Sequence, residues 1–345
     1  MSGWAELPPE IIHMISLRID NPFDLIHFRS VCSWWRSCSL QTLRPIPSLR
    51  CPLPPDAGGC GDDCHILRSR VYLLTSLSHD PPRFWLFKLQ EEENGALALQ
   101  SLLNRRTSSH RGVSYPSLSI DLLNSQVIEL VQEHVACYTY WCDLYDGPGS
   151  SKCEQPVGFM RLDGETNQFM VLGRLSFQDG ITSFNGQFYV IDTAGVTKVV
   201  KPTLELNSFR RSRPCRKTRK RWFVKAENKL LLVEMCTNNL EEYRRPHLLA
   251  EKGWFEVSEL NEGRDDWIQM EDIGGRVLFL DDHFSLSCWP NQIPGFKPNS
   301  IIFKGVLGYY GHQVFEFGEQ GFILLGDIPE YTQLFPPPSW IVSNV

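Results

Sequence analysis

From about Leu67 to the C-terminus the chain consists of short runs of β-branched and aromatic residues broken by Gly, Asn and Asp. Arg70–Leu74, Phe84–Leu89, Gln187–Ile191, Lys229–Glu234, Arg276–Leu280 and Ser300–Phe303 are such runs. Runs of this length bounded by turn residues predict strands, and helical periodicity is scarce throughout. Several pairs predict hairpins: 188–200 turning at Ala194-Gly195, 221–235 turning near Glu227-Asn228, and 313–325 turning around Gly318–Gly321. The strongest hairpins recur every ~40–45 residues, the length of one four-stranded propeller blade. On that spacing the region from 67 to 345 would hold roughly six or seven blades. No repeated Trp-Asp or double-Gly signature accompanies the spacing, so a β-sandwich or two smaller barrels are the alternative architectures.

Residues 4–38 have a different grammar. Pro9 suits a first helical turn, where its missing N–H costs nothing, and Glu10 meets the positive end of the helix dipole. Ile11, Ile15 and Ile19 recur every four residues as one stripe, which Ile12 and Met14 widen. Asn21-Pro22-Phe23-Asp24 predicts a second start: Asn21 as cap, Pro22 as first helical residue, Asp24 as a capping acid. Leu25, Ile26, Phe28, Val31, Cys32, Trp34 and Trp35 then make an apolar second run. So short a segment buries too little surface for a comfortable core of its own. Its helices either pack as a hairpin on their own domain or leave an apolar patch for a partner. Between the two regions, residues 43–64 are rich in Pro and Gly and predict a linker and domain entry. The expected organisation is α+β and multidomain: a helical module at 1–48, a linker at 49–66, and a mostly antiparallel all-β domain at 67–345.

Leu7-Pro8, Phe28-Arg29-Ser30-Val31-Cys32 and Trp35-Arg36 stand in the order of an F-box, and the N-terminal segment resembles that module. The resemblance extends along the chain. Trp85–Leu89, Phe184–Asp192, Asn228–Val233, Gly275–Leu280, Phe284–Ser287 and Asn299–Phe303 follow in the order of plant F-box proteins of the SKIP type, whose C-terminal domain is kelch-like. Asp281 departs from that pattern, standing where the family has Gly. The resemblance implies a substrate-recognition subunit of an SCF-type ubiquitin ligase. Its F-box would bind a Skp adaptor and, through it, a cullin, while the β domain holds an unidentified protein target. Leu7, Pro8, Ile11, Ile15, Leu25, Val31, Cys32 and Trp35 are the residues expected to form or support the adaptor interface. The alternative is a nuclear regulatory protein that uses the F-box for assembly without degradation.

Composition fits this picture. Of the 345 residues 42% are apolar, enough for a real core, and aromatics at 12% argue against disorder. A net charge of −6 does not suggest a nucleic-acid binder. No secretory signal or membrane-spanning run is read from the sequence. A soluble protein of the nucleus, the cytoplasm or both is expected. The 11 cysteines lie mostly in apolar contexts and fit reduced thiols.

One local anomaly stands out. Eight of the 34 basic residues fall within Arg210–Arg221, which contains no acid. Arg216, Lys217, Arg219, Lys220 and Arg221 compose a candidate nuclear-import signal; a solvated loop and a nucleic-acid contact are the other readings. Other constellations carry less. Cys51, Cys60, Cys64 and His65 have a spacing within reach of one zinc ion, but no second close pair completes it. Asp281-Asp282-His283 sits after a strand, where adjacent side chains point to opposite faces and do not converge. Ser108-Ser109-His110 has no supporting pattern, and no nucleophile elbow, P-loop or metalloprotease motif occurs. No enzyme activity, metal or cofactor is therefore expected.

Overall fold

The computed structural model describes residues 4–41, 49–51, 64–80, 82–91, 97–100, 102, 120–142, 149–161, 169–173, 178–210, 218–237, 253–281, 284–293, 295–304, 312–319 and 322–328. A single 3-10 turn, Trp4–Glu6, precedes helices α1 (Pro9–Ser16), α2 (Pro22–Ser30) and α3 (Ser33–Cys38). Pro9 and Pro22 each occupy a first helical turn, and the Asn21 side chain accepts a hydrogen bond from the Phe23 amide at 2.9 Å, as its cap position requires. The buried stripe of α1 runs through Ile12 and Ser16, one residue on from the expected Ile11–Ile15 line. Ile15 and Ile19 flank that stripe, while Ile11 and Met14 face solvent.

The remainder is β. The first sheet contains β1 (Leu49–Cys51), β2 (Cys64–Ser76), β3 (Arg83–Glu91), β4 (Leu97–Gln100), β5 (Ser125–Cys142), β6 (Gly149–Arg161) and β7 (Phe169–Gly173). Its order is β4-β3-β2-β5-β6-β7, with β1 paired to β2. The second contains β8 (Gln178–Phe184), β9 (Gln187–Asp192), β10 (Val196–Val200) and β11 (Leu206–Arg210), a simple meander. The third is the meander of β12 (Thr218–Ala226), β13 (Lys229–Thr237), β14 (Gly253–Asn261) and β15 (Asp266–Met270). In the fourth, β16 (Val277–Leu280), β17 (Ser285–Cys288), β18 (Ser300–Lys304), β19 (His312–Glu316) and β20 (Phe322–Leu324) are ordered β17-β16-β18-β19-β20. The β16–β18 pair is parallel, and every other pair is antiparallel among the described residues.

The inner strands close a ring. β17 touches β5 and β12, β12 touches β8, and β8 touches β6, which returns to β5 within the first sheet. Facing sheets then bury one another's side chains, as propeller blades do. Val71, Leu73 and Leu86 of the first sheet pack with Val277, Phe279 and Ile302 of the fourth. Leu231, Val233 and Phe255 of the third meet Leu280, Ile301 and Phe315 of the fourth. Tyr189 and Ile191 of the second meet Phe223, Leu232 and Trp267 of the third. Where the second sheet meets the first, the position of a Cβ on Gly158 lies 2.7 Å from the buried Phe188 ring, so only glycine allows that approach.

The three expected turns are present: Gly195 at φ 77° turns β9 into β10, Glu227 at φ 56° turns β12 into β13, and Gly318 at φ 94° turns β19 into β20. A turn not read from the sequence joins β8 to β9, where Asn185 and Gly186, both at positive φ (46° and 71°), form the tight hairpin such pairs favour.

The blade count differs from the spacing estimate: among the described residues four sheets close the ring, not six or seven. The reason lies in β2, β5 and β6, which are 13, 18 and 13 residues long. A bulge between Val71 and Tyr72 lets β2 stay paired with β5 along its length, so one sheet absorbs chain that ordinary blades would divide. The segment expected as linker also carries β structure at both ends, because β1 and the start of β2 lie within 49–66.

Candidate functional site

The helical module is built from the inside outward. Ile12 and Leu25 are buried, and the Trp35 ring packs on Phe28 with centroids 4.6 Å apart. The two tryptophans of α3 hold the N-terminal segment: Trp34 Nε1 donates to the Leu7 carbonyl at 3.1 Å, and Trp35 Nε1 to the Trp4 carbonyl at 3.2 Å. Cys32 caps α3, its sulfur accepting from the Trp35 amide at 3.4 Å. Ser16 Oγ accepts from the Leu40 amide at 3.2 Å, and Arg29 donates to the Leu40 carbonyl, which ties the exit of α3 back to α1 and α2.

The eight residues expected at the adaptor interface thus separate into two groups. Leu25 (3% exposed) and Trp35 (8%) are interior supports. Pro8 is exposed, Ile11 and Val31 are 42% and 57% exposed, and Leu7, Ile15 and Cys32 are half-buried between them. Four further apolar side chains reach solvent on the same module: Trp4, Met14, Ile26 and Trp34. Met14 was legible in principle, because i and i+3 share a helix face with Ile11. A module this small with this much exposed apolar surface has the composition of a docking face.

The module is fastened to the propeller through the α1–α2 turn. Phe23 inserts beside Tyr72 and Phe87, edge-on, with centroids at 4.9 and 6.1 Å, and joins the cluster that includes Leu74 and Trp85. Asn21 Nδ2 donates to Glu129 at 2.8 Å. Arg70 donates to Glu129 at 2.6 Å and to the Asp20 carbonyl at 2.7 Å. Arg68 pairs with Glu91 and reaches Asp20 at 3.5 Å. Both arginine side chains are 4% exposed, so these are desolvated, charge-assisted bonds. Burial raises the Glu129 carboxyl above its usual range, even though Arg70 beside it pulls the other way. The module's orientation on the propeller is therefore set by a packed and bonded contact.

The basic segment divides as well. Arg216 and Lys217 lie outside the described residues, and Arg219 is known only as a backbone position on β12. Lys220 Nζ stands 4.9 Å over the Trp222 ring. Arg221 is buried, its Nε 2.9 Å from Glu234 and its Nη1 donating to the Thr193 carbonyl at 3.1 Å. Its charge is used inside the fold, where an import receptor does not reach it. Sequence alone could not show this, because Glu234 lies on the neighbouring strand, opposite Arg221 in register.

The weaker constellations fall apart. Register places Cys51 opposite Cys64 and Arg50 opposite His65, while Cys60 lies outside the described residues. No group of three metal-ligating side chains forms among the described residues. Asp282, His283, and Ser108-Ser109-His110 also lie outside them. Asp281 serves the fold through its backbone, donating to the Phe284 carbonyl and accepting from Trp222 Nε1 at 3.0 Å.

Comparison with known proteins agrees with this geometry. The KIB1-4 beta-propeller family matches residues 85–319. An Arabidopsis thaliana protein named as an F-box/kelch-repeat protein is 54% identical over 374 aligned residues, covering 100% of both chains. The F-box protein SKIP23 of the same plant is 27% identical, over 100% of this chain and 97% of its own. A further F-box/kelch-repeat protein of that plant is 27% identical over 90% of this chain and 86% of its own. The chain belongs to the plant F-box/kelch-repeat proteins that carry a KIB1-4 β-propeller.

Proposed function

We propose that this chain is the substrate-recognition subunit of an SCF-type ubiquitin ligase. The F-box takes a Skp adaptor, the adaptor takes a cullin, and the propeller holds a protein target for ubiquitination. The observation that carries the reading is the two-sided helical module. Pro8, Ile11, Met14 and Val31 offer an apolar face to solvent, while Asp20, Asn21 and Phe23 root the other side in the propeller. An adaptor that covers the exposed face would remove apolar surface from water, the main driving force for such association. The rooted side would then hold a bound target in one orientation relative to the ligase. Catalysis on this reading is proximity: a target lysine is held near a ubiquitin-loaded enzyme elsewhere in the complex, and the chain itself transfers nothing. The work is done in the nucleus, the cytoplasm or both.

Affinity purification from plant cells tests the reading. The intact chain should recover both a Skp adaptor and a cullin, and a variant with Leu7→Ala and Pro8→Ala should recover neither. Undiminished recovery by the variant would remove the F-box from the account. Longer target half-life in a null mutant would then establish degradation; unchanged half-lives of bound proteins would favour non-degradative assembly.

A further inference from the structure

The ring of inner strands encloses two adjoining cavities, of about 340 and 390 Å³, which meet at Gln132 of β5 and Lys225 of β12. Both volumes fall in the ~300–1,000 Å³ range of small-molecule sites. In the first cavity His134 is 9% exposed, and its ring is fixed by stacking on Phe159 with centroids 3.9 Å apart. Its Nε2 nevertheless has no hydrogen-bond partner among the described residues. Thr182 and Ser183 add hydroxyls to the same wall. In the second cavity the buried Ser287 hydroxyl also lacks a partner among the described residues.

The charges narrow the choice of ligand. Arg68 borders the first cavity, but it is engaged by Glu91 and Asp20. Lys225 lines both cavities and forms no ion pair among the described residues; it only attracts Glu133 at longer range. Glu133, half-buried in the channel wall, accepts the Ser285 amide. Asp20, Glu227 and Arg276 also line the cavities but are engaged, Asp20 with Arg68 and Glu227 with Arg276, and Gln292 accepts the Trp289 amide. The groups left at the axis are the Lys225 ammonium, the His134 ring, the hydroxyls and the Gln132 amide, against the Glu133 carboxylate. A buried polar group without a partner costs free energy, and a ligand rich in acceptors would satisfy several at once.

We propose that the propeller axis binds a small molecule bearing a carboxylate or phosphate group, with the oxyanion on Lys225 and hydrogen-bonded by the His134 ring. The site lies apart from the exposed F-box face, and the inference stands whether or not the F-box binds an adaptor. Glu133 opposes such a ligand by like charge, and so do Asp20 and Glu227 where their arginine partners do not offset them.

The test uses the purified full chain and two probes, inorganic phosphate and succinate, followed by ligand-observed NMR titration. At least one probe should bind; which one does distinguishes a phosphate from a carboxylate source. Lys225→Met should weaken that binding about tenfold or more, the loss of one charge-assisted hydrogen bond. Lys225→Arg should retain it, and Glu133→Gln should tighten it. Lys229→Met, an exposed lysine paired with Glu259 away from the axis, should leave it unchanged. Binding of neither probe, or equal binding by the wild type and Lys225→Met, overturns the proposal. The Arg variant separates loss of charge from loss of fold.

Discussion

Phe23→Ala should unfasten the F-box from the propeller while leaving the propeller intact. Phe23 is 8% exposed, and the aromatic rings around it, Tyr72 and Phe87, belong to the first sheet. Truncating a buried Phe costs about 3–5 kcal/mol, and its edge-on contact with Tyr72 is part of that sum. The helices have little core of their own, so the loss falls on their local opening and not on the β ring. At about 1.4 kcal/mol per factor of ten, a 3 kcal/mol loss is roughly a hundredfold fall in amide protection across α1–α3. Hydrogen exchange read by mass spectrometry measures this directly. Amides of β12–β14 should keep their protection, and Ile26→Ala, at an exposed position on the same helix, should change neither region. Unchanged protection of α1–α3 in Phe23→Ala would refute the idea that this contact fixes the module. Equal loss in both regions would show that the ring and the module unfold as one.

Three further outcomes follow from buried groups. Burial, with the nearby positive charge of Arg68 and Lys225, depresses His134 to about 3. The unfolded chain takes up this proton near pH 6.5 and the folded one does not, so its stabilising contribution is lost as pH falls from ~6.5 toward 3, by about 2 kcal/mol at pH 5. Denaturant titrations at pH 7 and pH 5 should show a smaller pH difference in His134→Phe than in the wild type; an equal difference would exclude His134 as its source. Arg221→Ala should cost about 3–5 kcal/mol by stranding Glu234, whereas Arg221→Met with Glu234→Leu should recover most of it; a double variant no more stable than the single one would contradict the pair. Gly158→Ala should cost about 1–3 kcal/mol through its clash with Phe188, and a melting temperature like that of the wild type would show that the two sheets can separate there.

Much of this architecture was legible where the cause is local. The Asn21 cap, the two first-turn prolines and the Ala194-Gly195 turn depend on neighbours in sequence, and each forms as read. Features that depend on distant partners were not legible. The buried line of α1 shifted by one residue because Ile12 and Ser16 face the rest of the module, a choice made by packing and not by periodicity. Phe23 reads as one more apolar residue until Tyr72 and Phe87 are placed beside it. Arg221 reads as part of a basic run until Glu234 faces it across a strand pair. The blade count failed for a related reason: a hairpin spacing cannot reveal that β2 and β5 stay paired through a bulge. Among the eight residues expected at the adaptor interface, the division into exposed and buried side chains required the fold.

The central claim is that the exposed apolar side of the F-box captures the adaptor. Calorimetric titration of purified Skp adaptor into the wild type, Ile11→Asp and Val31→Asp tests it most directly, since both positions are exposed and tolerate a charge without disturbing the core. The account predicts binding by the wild type, binding weakened about tenfold or more by each substitution, and melting temperatures that stay close to the wild-type value. Full affinity in both variants would contradict it, because the apolar face would then be idle.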